Sequence, residues 1–465
     1  MTRNRVTATE LAAAVRGGEI SARELIEARL ATIELINPKI TAITQLADDA
    51  RAAAAELDAR RDRGEVLGPL AGVPITVKES IAVRGLATTH GARFLRDHRA
   101  DHDAPPVARL RRADAVIIGH SNMPTLTLAG MHTRSELFGS TRNPWDPERT
   151  PGGSSGGDAA AVASGLAAIG LGNDSAGSLR LPANFCGVAA LKPSTGRYPA
   201  DHRIGPDEPT LAAQLFPVDG PIAATVEDLG LVHRVLSGAD PVDPRALPIP
   251  AELGSDGPGR VALIRDPGGV GLAPAVDSAL DIAAALLISA GFEVREVTEL
   301  PAQAAALETF GVLINTEFGL GWERIRSVLA PEDRRYQEFA MARRPPGTLP
   351  EYIAATAALH GIRRAWAEFG RDHELVLGPV YADQAPYPDE ERKSATANER
   401  YGRAMALNVI STCAGLPAVA VPTGLADGLP TGVQLIGRAF REDDCLAAAA
   451  VIERGGTMPP CPFVP

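Results

Sequence analysis

From Gly72 onward the chain is punctuated by short apolar runs of strand length, set between glycine, proline and alanine-rich stretches of helical length. The runs at Pro74 to Val77, Ala115 to Gly119, Val261 to Ile264, Glu374 to Leu377, Ala418 to Val421 and Gly432 to Ile436 read as strands. The stretches Ala159 to Leu171 and Glu442 to Arg454 read as helices. Strands and helices that alternate in this way build a mixed α/β sheet.

Ahead of this region, Thr7-x-x-Glu10 and Ser21-x-x-Glu24 have the form of capping boxes, each followed by apolar residues at helical spacing. Gly17-Gly18 and Asn37-Pro38 supply helix stops, and Ala47 to Arg63 reads as a third helix, so residues 1–65 are expected to form an N-terminal helical layer. A chain of 465 residues has room for one large domain or for two or three ordinary ones. The proline and glycine cluster from Pro241 to Pro258 is the natural place for a linker. The strands on either side of it read as members of one sheet, so it is taken as a surface loop and residues 1–465 as a single domain. The stretch 300–398 has the weakest pattern and is expected to be a substrate-facing cap.

Forty-six basic against fifty-seven acidic side chains give a net charge of −11, and no lysine or arginine run is long enough to track phosphates. Direct nucleic-acid binding is therefore not expected; Arg109, Arg111 and Arg112 read as a solvated helix face. The four cysteines (Cys186, Cys413, Cys445, Cys461) are far apart, without the spacing of a zinc cluster or a disulfide framework. The N-terminus lacks an apolar signal core, and no run of about 18 apolar residues occurs that would span a membrane. A cytoplasmic protein with no membrane partner is expected.

The densest chemical signal is Thr150-Pro151-Gly152-Gly153-Ser154-Ser155-Gly156-Gly157, which opens directly into the helix at Asp158. Such a loop can turn several amides toward one point beside a helix N-terminus. It lacks the Gly-Lys-Ser/Thr ending of a P-loop and the spacing of a dinucleotide fingerprint. A second signal follows 24 residues after Ser154, in Asn173-Asp174-Ser175-Ala176-Gly177-Ser178-Leu179-Arg180-Leu181-Pro182. Small residues there allow a carbonyl to approach the backbone, and the amides of Ser175, Ala176, Gly177 and Ser178 are candidates for an oxyanion hole. A serine nucleophile needs a base. None of the nine histidines has an orienting carboxylate pattern, and no G-x-S-x-G elbow is present. Lys78, at the end of the apolar strand in Val73-Pro74-Ile75-Thr76-Val77-Lys78-Glu79, can serve instead if burial lowers its pKa.

Taken together, Pro74 to Lys78, Gly152 to Gly157 and Asp174 to Pro182 followed by Phe185-Cys186-Gly187 resemble the amidase signature family. Asn143-Pro144-Trp145, Leu191-Lys192-Pro193, Thr225-Val226-Glu227-Asp228, Gly415-Leu416-Pro417-Ala418 and Gly432-Val433-Gln434-Leu435-Ile436-Gly437 extend the resemblance over most of the chain. The resemblance implies an α/β/α fold, in which helices flank the central sheet on both faces, with residues 66–240 as the signature core. It makes Ser178 the nucleophile, Ser154 a bridging serine after a cis peptide and Lys78 the base. Ser155, Asp174 and Arg180 would support them. Thr127, Leu128, Ala129, Gly130 and Met131 match a segment that lines the acyl pocket in the family.

Two positions depart from the family pattern: Ala176 stands where glycine is usual, and Glu79 where aspartate is usual. Neither removes a catalytic group, so chemistry should survive while substrate preference moves. The implied activity is hydrolysis of a small-molecule carboxamide through a serine acyl-enzyme, with no metal and no organic cofactor. Amide transfer or synthesis from the same acyl-enzyme is the alternative, and a non-catalytic binding protein is disfavoured by the presence of all three groups. Homodimers are the commonest soluble oligomers, and one is the expectation here.

Overall fold

A computed structural model describes residues 6–128, 130–204, 207–255, 257–456 and 458–463. Both capping boxes form as read. Thr7 Oγ1 accepts from the Glu10 amide at 3.0 Å while Glu10 returns a bond to the Thr7 amide, and Ser21 and Glu24 do the same. The helix Ala22–Ile40 does not stop at Asn37-Pro38, but continues to Ile40 and ends at Thr41 in a left-handed conformation. Asn37 helps to close that end, its Oδ1 accepting from the amides of Ala42 and Ile43. The third helix is Ala50–Asp62. Between the second and third helices lies a strand, β1 (Ile43–Leu46), so the N-terminal segment adds to the sheet as well as covering it.

The remaining strands are β2 (Pro74–Lys78), β3 (Val116–Ser121), β4 (Arg134–Ser135), β5 (Gly139–Ser140), β6 (Ile169–Asp174), β7 (Ala189–Lys192) and β8 (Val218–Ala223), followed by β9 (Arg260–Leu263), β10 (Glu293–Glu296), β11 (Leu375–Pro379), β12 (Ala418–Ala426) and β13 (Leu429–Gly437). Strands β4 and β5 pair only with each other. The other eleven form one sheet in the order β1-β3-β2-β6-β8-β7-β12-β13-β11-β9-β10. The sheet is mixed: β2 runs parallel to both β3 and β6, whereas β8 is antiparallel to β6 and to β7. Helices flank it, among them Gly156–Ala163, Arg180–Cys186, Val226–Leu236, Pro274–Ser289 and Glu442–Gly455.

The helix expected over Ala159 to Leu171 is two elements. It ends at Ala163, Gly165 turns the chain with φ +69°, and Ile169 begins β6. The alanines carry no periodicity that separates the helix from the buried strand after it.

The stretch 300–398 carries helices as well as the strand read at Glu374 to Leu377. It contains the helices Gln303–Val328, Pro331–Arg343 and Leu349–Phe369, and then returns to the sheet as β11, between β13 and β9. The first and third of these helices enclose a second apolar cluster that includes Phe216, Leu313, Leu359, Trp366 and Ile410, beside the main core. The proline-rich segment 241–258 joins the helix Val226–Leu236 to β9, so it links two parts of the same architecture.

Candidate active site

Lys78 ends β2, in which all five residues are buried. Its Nζ donates to Ser154 Oγ and to Asn173 Oδ1, both at 2.6 Å. Burial lowers the Lys78 pKa to about 7, against the upward pull of the carboxylates of Asp158, Asp174 and Asp219. A lysine in this state has both protonation forms available near neutrality, which a general base requires.

Ser154 follows a cis peptide bond from Gly153 and is itself buried. Gly152 has φ +84°, and a Cβ there would lie 2.7 Å from the Pro182 Cα, so the loop presses its backbone onto the helix that follows Ser178. Thr133 pins the loop from the other side. Its Oγ1 donates to the Gly152 carbonyl at 2.8 Å and accepts from the Gly156 amide at 3.2 Å. The Ser155 amide donates to the Ser178 carbonyl at 3.1 Å, and Ser155 Oγ donates to the Asn173 carbonyl at 3.2 Å, tying the first serine loop to the second.

Asp174 and Arg180 are a buried pair. Arg180 donates through Nε and Nη2 to the two Asp174 oxygens, at 2.9 and 3.0 Å. Burial alone would raise the Asp174 pKa, but the charge and hydrogen bonds of Arg180 hold it down to about 2. Arg180 reaches further, to Ser411 Oγ, Gln434 Oε1 and the Asn408 carbonyl. Asp174 also accepts from the amides of Gly177 at 2.6 Å and Leu179 at 3.2 Å, which shapes the turn that presents Ser178. Of the four amides expected to line an oxyanion hole, that of Gly177 donates to Asp174, whereas those of Ser175, Ala176 and Ser178 take no such bond among the described residues. Ser178 is half-buried.

Of the segment expected to line the acyl pocket, Met131 is buried, with its backbone against Gly153, and its carbonyl accepts from Thr150 Oγ1 at 3.1 Å. Gly130 faces the Glu391 carboxylate and the Tyr336 ring. Leu128 is buried, Thr127 is exposed on a short turn, and Ala129 lies outside the described residues. The two departures also find places. Glu79 is buried and accepts from the Thr89 hydroxyl and the Gly91 amide, and burial raises its pKa to about 7. The Ala176 methyl packs on the second apolar cluster, where the tilted rings of Phe216 and Phe310 meet with centroids 5.0 Å apart.

Asn173, Thr133 and Asp158 do not stand out in the sequence. Asn173 lies within the second serine motif, next to Asp174, and that adjacency is its only signal. Among the described residues no group of three or more His, Cys, Asp or Glu has a metal-holding arrangement, and no helix is long and apolar enough to cross a membrane.

A model of the family described as Amidase matches residues 24–446. The indoleacetamide hydrolase of Bradyrhizobium diazoefficiens is 39% identical over 97% of this chain and 87% of the relative. A glutamyl-tRNA(Gln) amidotransferase subunit from Roseiflexus sp. strain RS-1 is 36% identical over 97% of this chain and 96% of the relative. The solved structure of a 6-aminohexanoate cyclic dimer hydrolase with its substrate superposes with a TM-score of 0.83 at 29% identity, over 99% of both chains.

Proposed function

The chain belongs to the amidase signature family and is an amidase, and from that premise we propose that it hydrolyses a small-molecule carboxamide through an acyl-enzyme on Ser178. The observation that carries the assignment of roles is the 2.6 Å contact between Lys78 Nζ and Ser154 Oγ, in a buried site joined to the Ser178 loop through Ser155. Neutral Lys78 takes a proton from Ser154, which takes one from Ser178 as Ser178 Oγ attacks the amide carbon. The oxyanion is held by the amides of Ser175, Ala176 and Ser178. The proton returns through Ser154 to the leaving nitrogen, and water then releases the acid by the same relay in reverse.

The second apolar cluster, to which the helices within 303–369 contribute, packs against Ala176 of the serine turn, and we infer that the acyl group lies on that side. An apolar acyl group fits that side, and a relative named for indoleacetamide supports an arylacetamide type of substrate. The four buried free cysteines suit a reducing cytoplasm, and a homodimer without nucleic acid is the assembly we infer. Identity to an amidotransferase component favours a second reading, transfer of nascent ammonia to another acceptor.

The purified chain alone should release ammonia and free acid in equal amounts from a primary arylacetamide. A fluorophosphonate should abolish the activity and add mass at Ser178. Ammonia release only in the presence of a second protein chain would favour amidotransfer, and an adduct at Ser154 would reverse the serine roles.

A further inference from the structure

Several carboxyl groups surround the proposed base, and they are not equivalent. Asp174 on β6 is neutralised by Arg180. Asp219 on β8 accepts from His202 Nε2 at 3.0 Å. Glu79, next in the chain, is occupied by the Thr89 hydroxyl and the Gly91 amide, and His90 on the loop after β2 is kept uncharged by burial, with a further contribution from the charge on Lys78. Asp158 differs from all of these. It is the third residue of the helix Gly156–Ala163 and fully buried, and among the described residues it makes no direct ion pair, its link to Lys78 being electrostatic. Its Oδ1 accepts from Thr76 Oγ1 at 3.0 Å. The Ser121 hydroxyl on β3 faces the same carboxylate and favours its anion as a hydrogen-bonding partner.

The placement is built into the sheet. Thr76 and Lys78 are two residues apart on β2 and share one face, so the carboxylate held by Thr76 lies on the face that carries the lysine. Gly170 of β6 sits opposite Thr76, and a Cβ there would come within 2.6 Å of the Asp158 Cβ. The sequence therefore places a glycine where the acidic side chain enters. A buried carboxylate without a cation is costly, and so is a buried ammonium without an anion. Each favours the charged form of the other through space.

Building on the assignment of Lys78 as base, we propose that Asp158 is a positioning residue of the relay, the buried anion that holds charge on Lys78 and so sets the acid limit of activity. Burial pushes Asp158 up to about 7 and Lys78 down to about 7, each against the pull of the other. Without this anion the desolvated lysine would shed its proton at more acid pH. With it, the pair keeps a proton close to the site at neutral pH, where the same relay has to return one to the leaving nitrogen.

The test is the pH profile of kcat/KM for the intact chain, compared with Asp158→Asn, Thr76→Val and Lys78→Ala, each checked for folding by circular dichroism. Asparagine keeps the shape and can still accept from Thr76, so only the charge is lost. The acid limb of Asp158→Asn should move to lower pH by about one unit or more, the low end for an adjacent opposite charge. Thr76→Val weakens the anion by removing its donor and should move the limb the same way by less; it serves as the readout if Asp158→Asn does not fold. A uniform fall in activity with the limb unmoved would reduce Asp158 to a structural contact and overturn the proposal. An acid limb that survives in Lys78→Ala would overturn instead the base assignment beneath it, an outcome separable from the first.

Discussion

At the scale of single residues, the proposed chemistry turns on removing one lysine from water. Lys78 is fully buried with a serine and an asparagine on its Nζ, and burial has brought its pKa from the ordinary lysine range to about 7. A base depressed in this way is protonated and inactive below that value and becomes competent above it. The kcat/KM of the intact enzyme should therefore rise with pH through about 7. Lys78→Ala should lower kcat/KM by at least about 100-fold, the low end for loss of a positioned general base, and should lose that limb. Near-normal turnover in a folded variant would place the base elsewhere. The lysine and both serines are legible in the sequence because three short motifs coincide in order and spacing. Asn173 is not, since nothing in its neighbours says that a strand-end amide will meet Lys78 from an adjacent strand.

At the scale of elements, the loop before Ser154 works by backbone contact. Gly152 adopts a left-handed conformation with the Pro182 backbone within 2.7 Å of where a Cβ would stand. Gly152→Ala therefore costs about 1 kcal/mol for the backbone conformation alone, and either the loop or the helix Arg180–Cys186 must also shift. Because these two segments carry Ser154 and follow Ser178, kcat should fall by at least about tenfold, a displacement effect on the reacting groups, while the variant stays folded with a lowered melting temperature. An alanine variant with unchanged kcat would show that the loop tolerates the shift. The same region holds the clearest misreading of the sequence. The run from Ala159 to Leu171 is apolar but for Ser164, and burial on nearly all sides removes the periodicity that distinguishes a helix from a central strand. The turn at Gly165 and the pairing of Ile169 to Leu171 with β2 are set by what packs around them.

At the scale of the whole molecule, Arg180 joins the serine turn to the C-terminal part of the chain, through Ser411, Asn408 and Gln434. Replacing it with methionine strands the buried Asp174 carboxylate and should destabilise the fold by about 3–5 kcal/mol in urea denaturation, as for other buried pairs broken on one side. The pair also predicts an acid dependence. The Asp174 pKa is depressed to about 2 in the folded state, so its stabilisation is present above the unfolded carboxylate range and is lost as pH falls through about 2. Arg180→Met should lack this component, and equal stability of the two proteins across that range would refute it. By itself the sequence determined the mixed α/β class, the capped N-terminal helices, and Lys78, Ser154 and Ser178 as candidates, because these rest on local patterns: periodicity, turn chemistry and motif spacing. Only the tertiary structure decided that Gly177 spends its amide on Asp174, that β1 joins the sheet, and that Asp158 lies against the strand carrying Lys78. Each of these depends on a partner that sequence patterns do not identify, and burial and charge compensation act on what the fold brings together in space.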